Sequence, residues 1–480
     1  MPEQGQVAVA DAHTAGGTMR APESAVAEFV DRNRTHPAGT PVPEVPGVLA
    51  LPLAERDELV RKGELSADEL RDTALRWERV ADQRYRACAE LRGPAAGSRD
   101  AAGRGALRVG VKDTVDVRGF ATRLGLRHYR HHPRESAAVV ASLRHAEVNA
   151  KVVTTELNIG VGSGCVNPYF PQFDPAGSST GSAVAVAANI CDIGLGTDVL
   201  GSVRWPAGRC GVVGLRTTHD PRRLAGIFPL SPSMDAPGWV ARTADDLAFA
   251  WRHLGLGDEP SAGRDSVRVG VPEELYRPGV IDAEIAEALD TTGAALTGTG
   301  HQVVSRALGE LWDCRAAAWE LCARDAWDAH QVWRDELVDE LKPSTRTALE
   351  TGAAVSDERQ AEIRARMAGL RANVEAFFTG RSVDVWLMPL DPGVPRPRGT
   401  VVASSTIPDA DDPAYEREVG FTPVASFAGL PAVTLPVGRG AEHGAPLAVQ
   451  LIGRPGHDFA LIRLAQQLTS ALEPMALRPS

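Results

Sequence analysis

The chain has 480 residues, 43% hydrophobic and 24% charged, with a net charge of −11. That is enough apolar sequence for a large core, and an acidic balance does not attract a phosphate backbone or an anionic lipid surface. The nearest approach to a basic patch, Arg127 to Arg134, reads as a solvated loop. Six cysteines, at 88, 165, 191, 210, 314 and 322, show neither a CxxC nor a Cys/His ligand spacing, so no zinc site or disulfide framework is expected. They read as reduced, buried thiols. The first residues lack a basic n-region and an apolar h-region, and no apolar run approaches the ~18 residues that span a bilayer, so a cytoplasmic protein is expected.

Residues 1–48, broken by Pro37, Pro41, Pro43 and Pro46, are expected to be a flexible or loosely docked extension. Ser66 to Glu69 fits a capping box, and Leu70, Ala74, Trp77 and Ala81 then recur at helical spacing. Residues 94–106 read as a loop. Leu107 to Val111 reads as a strand stopping at Lys112, 136–144 as a helix, and 151–155 as a strand. The small residues 174–182 lead into the helical stretch AVAVAANI, followed by a strand over 193–198. Further strands are expected at 267–271, 383–388, 433–436 and 448–452, with helices at 282–297, through 306–341 and at 458–472. Trp312, Trp319, Trp327 and Trp333 recur at near-heptad steps, as in a helix core stripe; the sharper alternative is that some line a substrate entrance. Alternating strands and helices point to an α/β class: one large α/β/α layered domain over 49–477, a mixed central sheet flanked by helices.

Three segments place small residues beside a candidate nucleophile or base. They are Gly110 to Asp113, Gly177 to Ser182, and Gly196 to Arg204. Each alone is weak, since a lysine after a strand is usually on the surface and a GSS run is usually a turn. Neither a P-loop nor a strand-linked GxGxxG is present. No histidine lies in the three segments, so a Ser–His–Asp enzyme would need a distant one such as His219 or His145.

Together, the order and spacing of these segments, with GVKDTVDVRGFATRLG, Asn167-Pro168, GSVRWPAGRCGVVGLRTT, SMDAPGWVARTADDLA, FAGLPAVTLPVG and APLAVQLIGRPGHD, resemble the amidase signature family over roughly residues 50–475. The resemblance implies an amidohydrolase acting on a small carboxamide, with Ser202 as nucleophile, Lys112 as base and Ser178 as relay. A serine hydroxyl needs a base to take its proton, and a lysine kept neutral by burial can serve. It also implies a cis peptide bond before Ser178. The backbone amides of Val199, Leu200, Gly201 and Ser202 are expected to form an oxyanion hole, with Gly177, Ser179, Thr197, Asp198 and Arg204 in support. No metal or cofactor is required. The expected partner is a small amide substrate, with no nucleic acid and no membrane; a homodimer is left open.

The chain departs from the family pattern at Ala176, Thr180 and Leu200, where glycines are usual. Leu200 is expected to keep a negative φ, because a positive one is costly for leucine, and to narrow the acyl pocket. Two other functions fit the resemblance: the glutaminase (A) subunit of a tRNA-dependent amidotransferase, and an acyl-transferring or non-catalytic biosynthetic relative.

Overall fold

A computed structural model describes residues 44–92, 106–259, 266–335, 338–398, 412 and 414–472. Most of the extension expected over 1–48, and nearly all of the loop expected over 94–106, lie outside these. Residues 44–48 are described: Gly47–Ala50 forms one helical turn, and Val45 and Val48 pack against apolar side chains.

Eleven strands form a single sheet: β1 (Cys88–Leu91), β2 (Leu107–Lys112), β3 (Ala146–Val152), β4 (Ile193–Asp198), β5 (Val213–Arg216), β6 (Ala236–Ala241), β7 (Arg268–Pro272), β8 (Gln302–Arg306), β9 (Val385–Pro389), β10 (Ala432–Arg439) and β11 (Pro446–Ile452). Their order across the sheet is β1-β3-β2-β4-β6-β5-β10-β11-β9-β7-β8. β2 runs parallel to β3 and β4, whereas β6 runs antiparallel to both β4 and β5. The sheet is therefore mixed, as expected. This topology brings the carboxyl ends of β2 and β4 and the start of β6 to one sheet edge.

Helices cover both faces. Along β6, Trp239 and Ala241 join one apolar cluster and Val240 joins the other, as the two-residue period of a strand requires. The Val240 side packs with Trp77 of the helix Ala67–Tyr85 and Val184 of the helix Thr180–Ala187; the opposite side packs with helices Ala244–Leu254, Ala283–Gly298 and Asp458–Ala471. Strands buried on both faces read as apolar runs, which is why β2 and β4 were legible. Ser66 caps the first long helix by accepting from the Glu69 amide at 3.4 Å.

Several elements differ from expectation. The helix expected over 136–144 is a single turn, Ala138–Ala141. β3 begins at Ala146 and ends at Val152, because Val153 and Thr155 leave the ladder to donate to the carbonyls of Ala87 and Ser178. The stretch 306–341 opens on the end of β8 before its helices Glu310–Asp313, Arg315–Ala329 and Gln331–Asp335. β1, β5 and β6 are short or carry Pro and Gly, and leave no periodic signal. Of the four tryptophans, Trp312 and Trp333 are buried, and Trp319 and Trp327 pack partly buried against the same cluster. They join one apolar cluster, but from three successive helices rather than as a stripe on one.

The helix Thr180–Ala187 approaches β4 so closely that a Cβ on Gly194 would lie 2.7 Å from the Ser182 carbonyl oxygen. Backbone cannot yield as a flexible side chain does. Gly194→Ala is expected to destabilise the fold by about 1–3 kcal/mol, the usual penalty of overpacking, read as a lowered urea midpoint at unchanged m-value.

Candidate active site

Lys112 ends β2 and is fully buried. Its Nζ is hydrogen-bonded to Ser178 Oγ at 2.7 Å and to Thr197 Oγ1 at 2.9 Å. Burial pulls its pKa down to about 7, although Asp235 and Asp198 act in the opposite direction. A large share of this lysine is therefore neutral near pH 7, and a neutral amine can accept a proton from a hydroxyl.

Asp198 ends β4 and organises the turn that follows. Its carboxylate accepts from the amides of Gly201 at 3.0 Å and Val203 at 3.2 Å, and from Arg204 Nε at 3.0 Å and Nη2 at 2.8 Å. Burial alone would raise the pKa of Asp198; Arg204, assisted by Arg216, holds it well below the ordinary carboxylate range. Arg204 also donates to the Thr422 carbonyl, Gln450 Oε1 and Ser426 Oγ, all buried. The turn is thus tied to the carboxyl-terminal part of the chain.

Within this turn the positive φ, +114°, falls on Gly201, and a Cβ there would stand 2.9 Å from Thr422 Oγ1. Leu200 is not among the residues with positive φ, as expected. Its side chain is buried in the main apolar cluster. The Leu200 carbonyl accepts from Thr422 Oγ1. Of the four amides expected to face an oxyanion, that of Gly201 is already committed to Asp198 and is removed from the set. Those of Val199, Leu200 and Ser202 have no acceptor among the described residues. Ser202 itself is partly exposed, between the buried Gly201 and Val203.

The serine-rich segment lies alongside. The Ser179 amide donates to the Ser202 carbonyl at 3.0 Å, and Ser179 Oγ bonds the Thr197 carbonyl at 3.1 Å and the Thr197 amide at 3.2 Å. The Gly177–Ser178 peptide is cis. A Cβ on Gly177 would meet the Gly160 carbonyl oxygen at 2.3 Å, so only glycine fits there. Two departures from the family pattern are joined: Ala176 has φ +60°, and its carbonyl accepts from Thr180 Oγ1 at 2.6 Å. The hydroxyl offsets part of the cost, about 1–2 kcal/mol, of a left-handed alanine.

A model of the family described as Amidase matches residues 66–462. The chain belongs to the Amidase family. It is 30% identical over 433 residues to the (A) subunit of the mitochondrial glutamyl-tRNA(Gln) amidotransferase of Ixodes scapularis, covering 75% of this chain and 81% of that one. It is 27% identical to the mandelamide hydrolase of Pseudomonas putida, covering 77% and 78%. A crystal structure of an amidase superposes with a TM-score of 0.75 at 28% identity, covering 88% of this chain and 99% of that one.

In this member of the Amidase family the structure brings Lys112, Ser178, Thr197, Ser179 and the Ser202 turn together, and places Asp198 and Arg204 behind the turn. Neither histidine joins them. His219 Nδ1 bonds the Asp235 carbonyl at 2.8 Å, and the His145 ring lies tilted beside that of His253. Among the described residues, no cluster of His, Cys, Asp and Glu is placed to hold a metal ion, and no helix is long and apolar enough to cross a membrane. Residue-level reasoning missed Asp235, Arg216 and Thr422. Asp235 lies in the quoted SMDAPGW stretch and Arg216 in the quoted GSVRWPAGRCGVVGLRTT stretch, signals that were available; Thr422 lies outside the quoted stretches.

Asp198→Asn leaves two buried guanidiniums without their carboxylate. It is expected to cost about 3–5 kcal/mol of stability, as breaking a buried ion pair from one side does, measured by guanidinium denaturation.

Proposed function

We propose that this protein is a serine amidohydrolase that cleaves a small linear carboxamide through a Ser202 acyl-enzyme. The observation that carries this reading is the fully buried Lys112 Nζ, 2.7 Å from Ser178 Oγ and with its pKa pulled down to about 7. Ser202 Oγ attacks the amide carbon as its proton passes through Ser178 to Lys112. The developing oxyanion takes hydrogen bonds from the amides of Val199, Leu200 and Ser202, each of which can supply about 3–4 kcal/mol in the transition state. As the C–N bond breaks, the proton returns through Ser178 to the leaving amine. Water then releases the acid by the same route, regenerating Ser202. The likeness to mandelamide hydrolase supports a small amide as substrate.

A second reading is favoured by the 30% identity to the amidotransferase (A) subunit. In it the same site releases ammonia from glutamine within a larger assembly acting on tRNA. Co-purification of partner subunits with the native protein selects this reading, and turnover of small amides by the isolated chain selects the first. Products formed in the presence of added amines separate hydrolysis from acyl transfer.

A fluorophosphonate probe is expected to label Ser202, and Ser202→Ala to abolish both labelling and turnover; peptide mapping that finds the label on another serine refutes the assignment.

The base gives a further expectation. Lys112 acts only when neutral, so the labelling rate should be low at acid pH, rise through a midpoint near the lowered value of about 7 and level off above it. Lys112→Ala should slow labelling by about 10²–10⁴-fold, the typical contribution of a general base. A pH–rate profile of the variant that retains both the midpoint and the plateau excludes this role.

A further inference from the structure

The proton that Lys112 accepts creates an ammonium ion on a fully buried side chain, and a buried charge without a counter-charge is costly. Two carboxylates influence Lys112, those of Asp235 and Asp198. Asp198 is already matched by Arg204 and Arg216 and by the amides of the turn. Asp235 is not matched in this way. It is 2% exposed, and its Oδ2 accepts only the amides of Leu230 at 3.0 Å and Ser231 at 3.1 Å. Its Oδ1 is buried and accepts no hydrogen bond among the described residues.

The fold puts this carboxylate at the right edge. Asp235 immediately precedes β6, whose Ala236 pairs with Asp198, and Thr197 opposite Pro237 bonds Lys112. The other titratable and charged groups around it are Arg216 of β5, His219 and Cys322 of the helix Arg315–Ala329. Arg216 is turned to Asp198 and to the Met234 carbonyl. Burial lowers the pKa of His219 to about 4 and raises that of the Cys322 thiol, so both are neutral at pH 7.

We propose that Asp235 is a positioning residue acting through Lys112, the counter-charge for the ammonium formed when Lys112 takes the nucleophile's proton. This rests on the reading of Lys112 as base. Asp235 takes no proton from substrate and touches no reacting atom; it stabilises the charged form of its neighbour. Burial lifts its own pKa to about 7, close to that of Lys112, so the two groups exchange charge over one pH range. The loop that holds it is fixed from the helical layer. Asp325 accepts from Ser231 Oγ at 2.6 Å and Ser233 Oγ at 2.7 Å, and Arg371 donates to the Ser233 carbonyl at 2.8 Å.

The test is the pH dependence of fluorophosphonate labelling at Ser202. Asp235→Asn keeps an oxygen for the two amides but removes the charge. Lys112 then loses basicity, so the acidic limb is expected to move down by about one pH unit and the plateau to fall about tenfold. A limb that coincides with that of the wild type overturns the proposal whatever the plateau, because a structural role lowers the active fraction without moving the limb. A second variant does not depend on Asp235→Asn folding. In Lys112→Met the infrared band of a protonated buried carboxyl should persist to higher pH than in the wild type; an unchanged titration overturns the proposal. Failure of the wild type to label at Ser202, or a limb that survives Lys112→Ala, strikes the reading of Lys112 as base instead.

Discussion

The buried carboxylate of Asp198 is the constraint on which the rest of the site depends. A charge with no exposure must be paired, and Arg204 and Arg216 pair it from two different elements. Arg204 continues to Thr422, Gln450 and Ser426, and Arg216 to Met234 and Leu430. One carboxylate thereby ties the turn after β4 to β5, to the loop before β6 and to the last third of the chain. Desolvating three charges is expensive, and the hydrogen bonds that satisfy them are available in one arrangement of these strands. The price is a site that tolerates little change behind the Ser202 turn.

Lys112 illustrates the opposite treatment of a buried charge. Among the described residues no carboxylate pairs with it, and burial outweighs the pull of Asp235 and Asp198, so the amine is driven toward neutrality. Lys151, also buried and on the neighbouring strand, has Asp113 Oδ1 at 3.6 Å and bonds the Val115 carbonyl and the Thr122 hydroxyl; burial lowers its pKa as well, and Asp113 acts against it. The surroundings of the two ammonium groups differ. Lys112 has two hydroxyls, and Lys151 has a carboxylate.

Two of the contacts that fasten the helical insertion between β8 and β9 to the sheet-bearing part of the chain are made by buried carboxylates. Asp325 holds Ser231 and Ser233, and Glu156 accepts from the Lys342 amide at 3.0 Å and Thr345 Oγ1 at 2.7 Å. Both anchors are carboxylates with little exposure, so the layers are registered by polar contacts that apolar packing alone would not specify. The departures from the family pattern fit the same local logic. Thr180 supports the Ala176 carbonyl, and Leu200 leaves the positive φ to Gly201.

Much of the fold was legible because its strands are buried on both faces and its long helices are amphipathic; β2, β4, β7 and the helices at 67–85, 283–298 and 458–471 all carry those periodic signals. The grouping of Lys112, Ser178 and Ser202 was legible only through the joint spacing of three weak segments. β5 and β6 were not, because β5 is only four residues with a glycine among them and β6 opens on Ala-Pro-Gly, which reads as a turn. Residue type and order along the chain determined which side chains could serve as base and nucleophile. Tertiary structure alone decided which amide of the turn bonds Asp198, that the Leu200 side chain is buried, and that Asp235 influences Lys112 while making no ion pair among the described residues. Those outcomes depend on burial and on contacts between residues far apart in sequence, and neither is encoded in a local pattern.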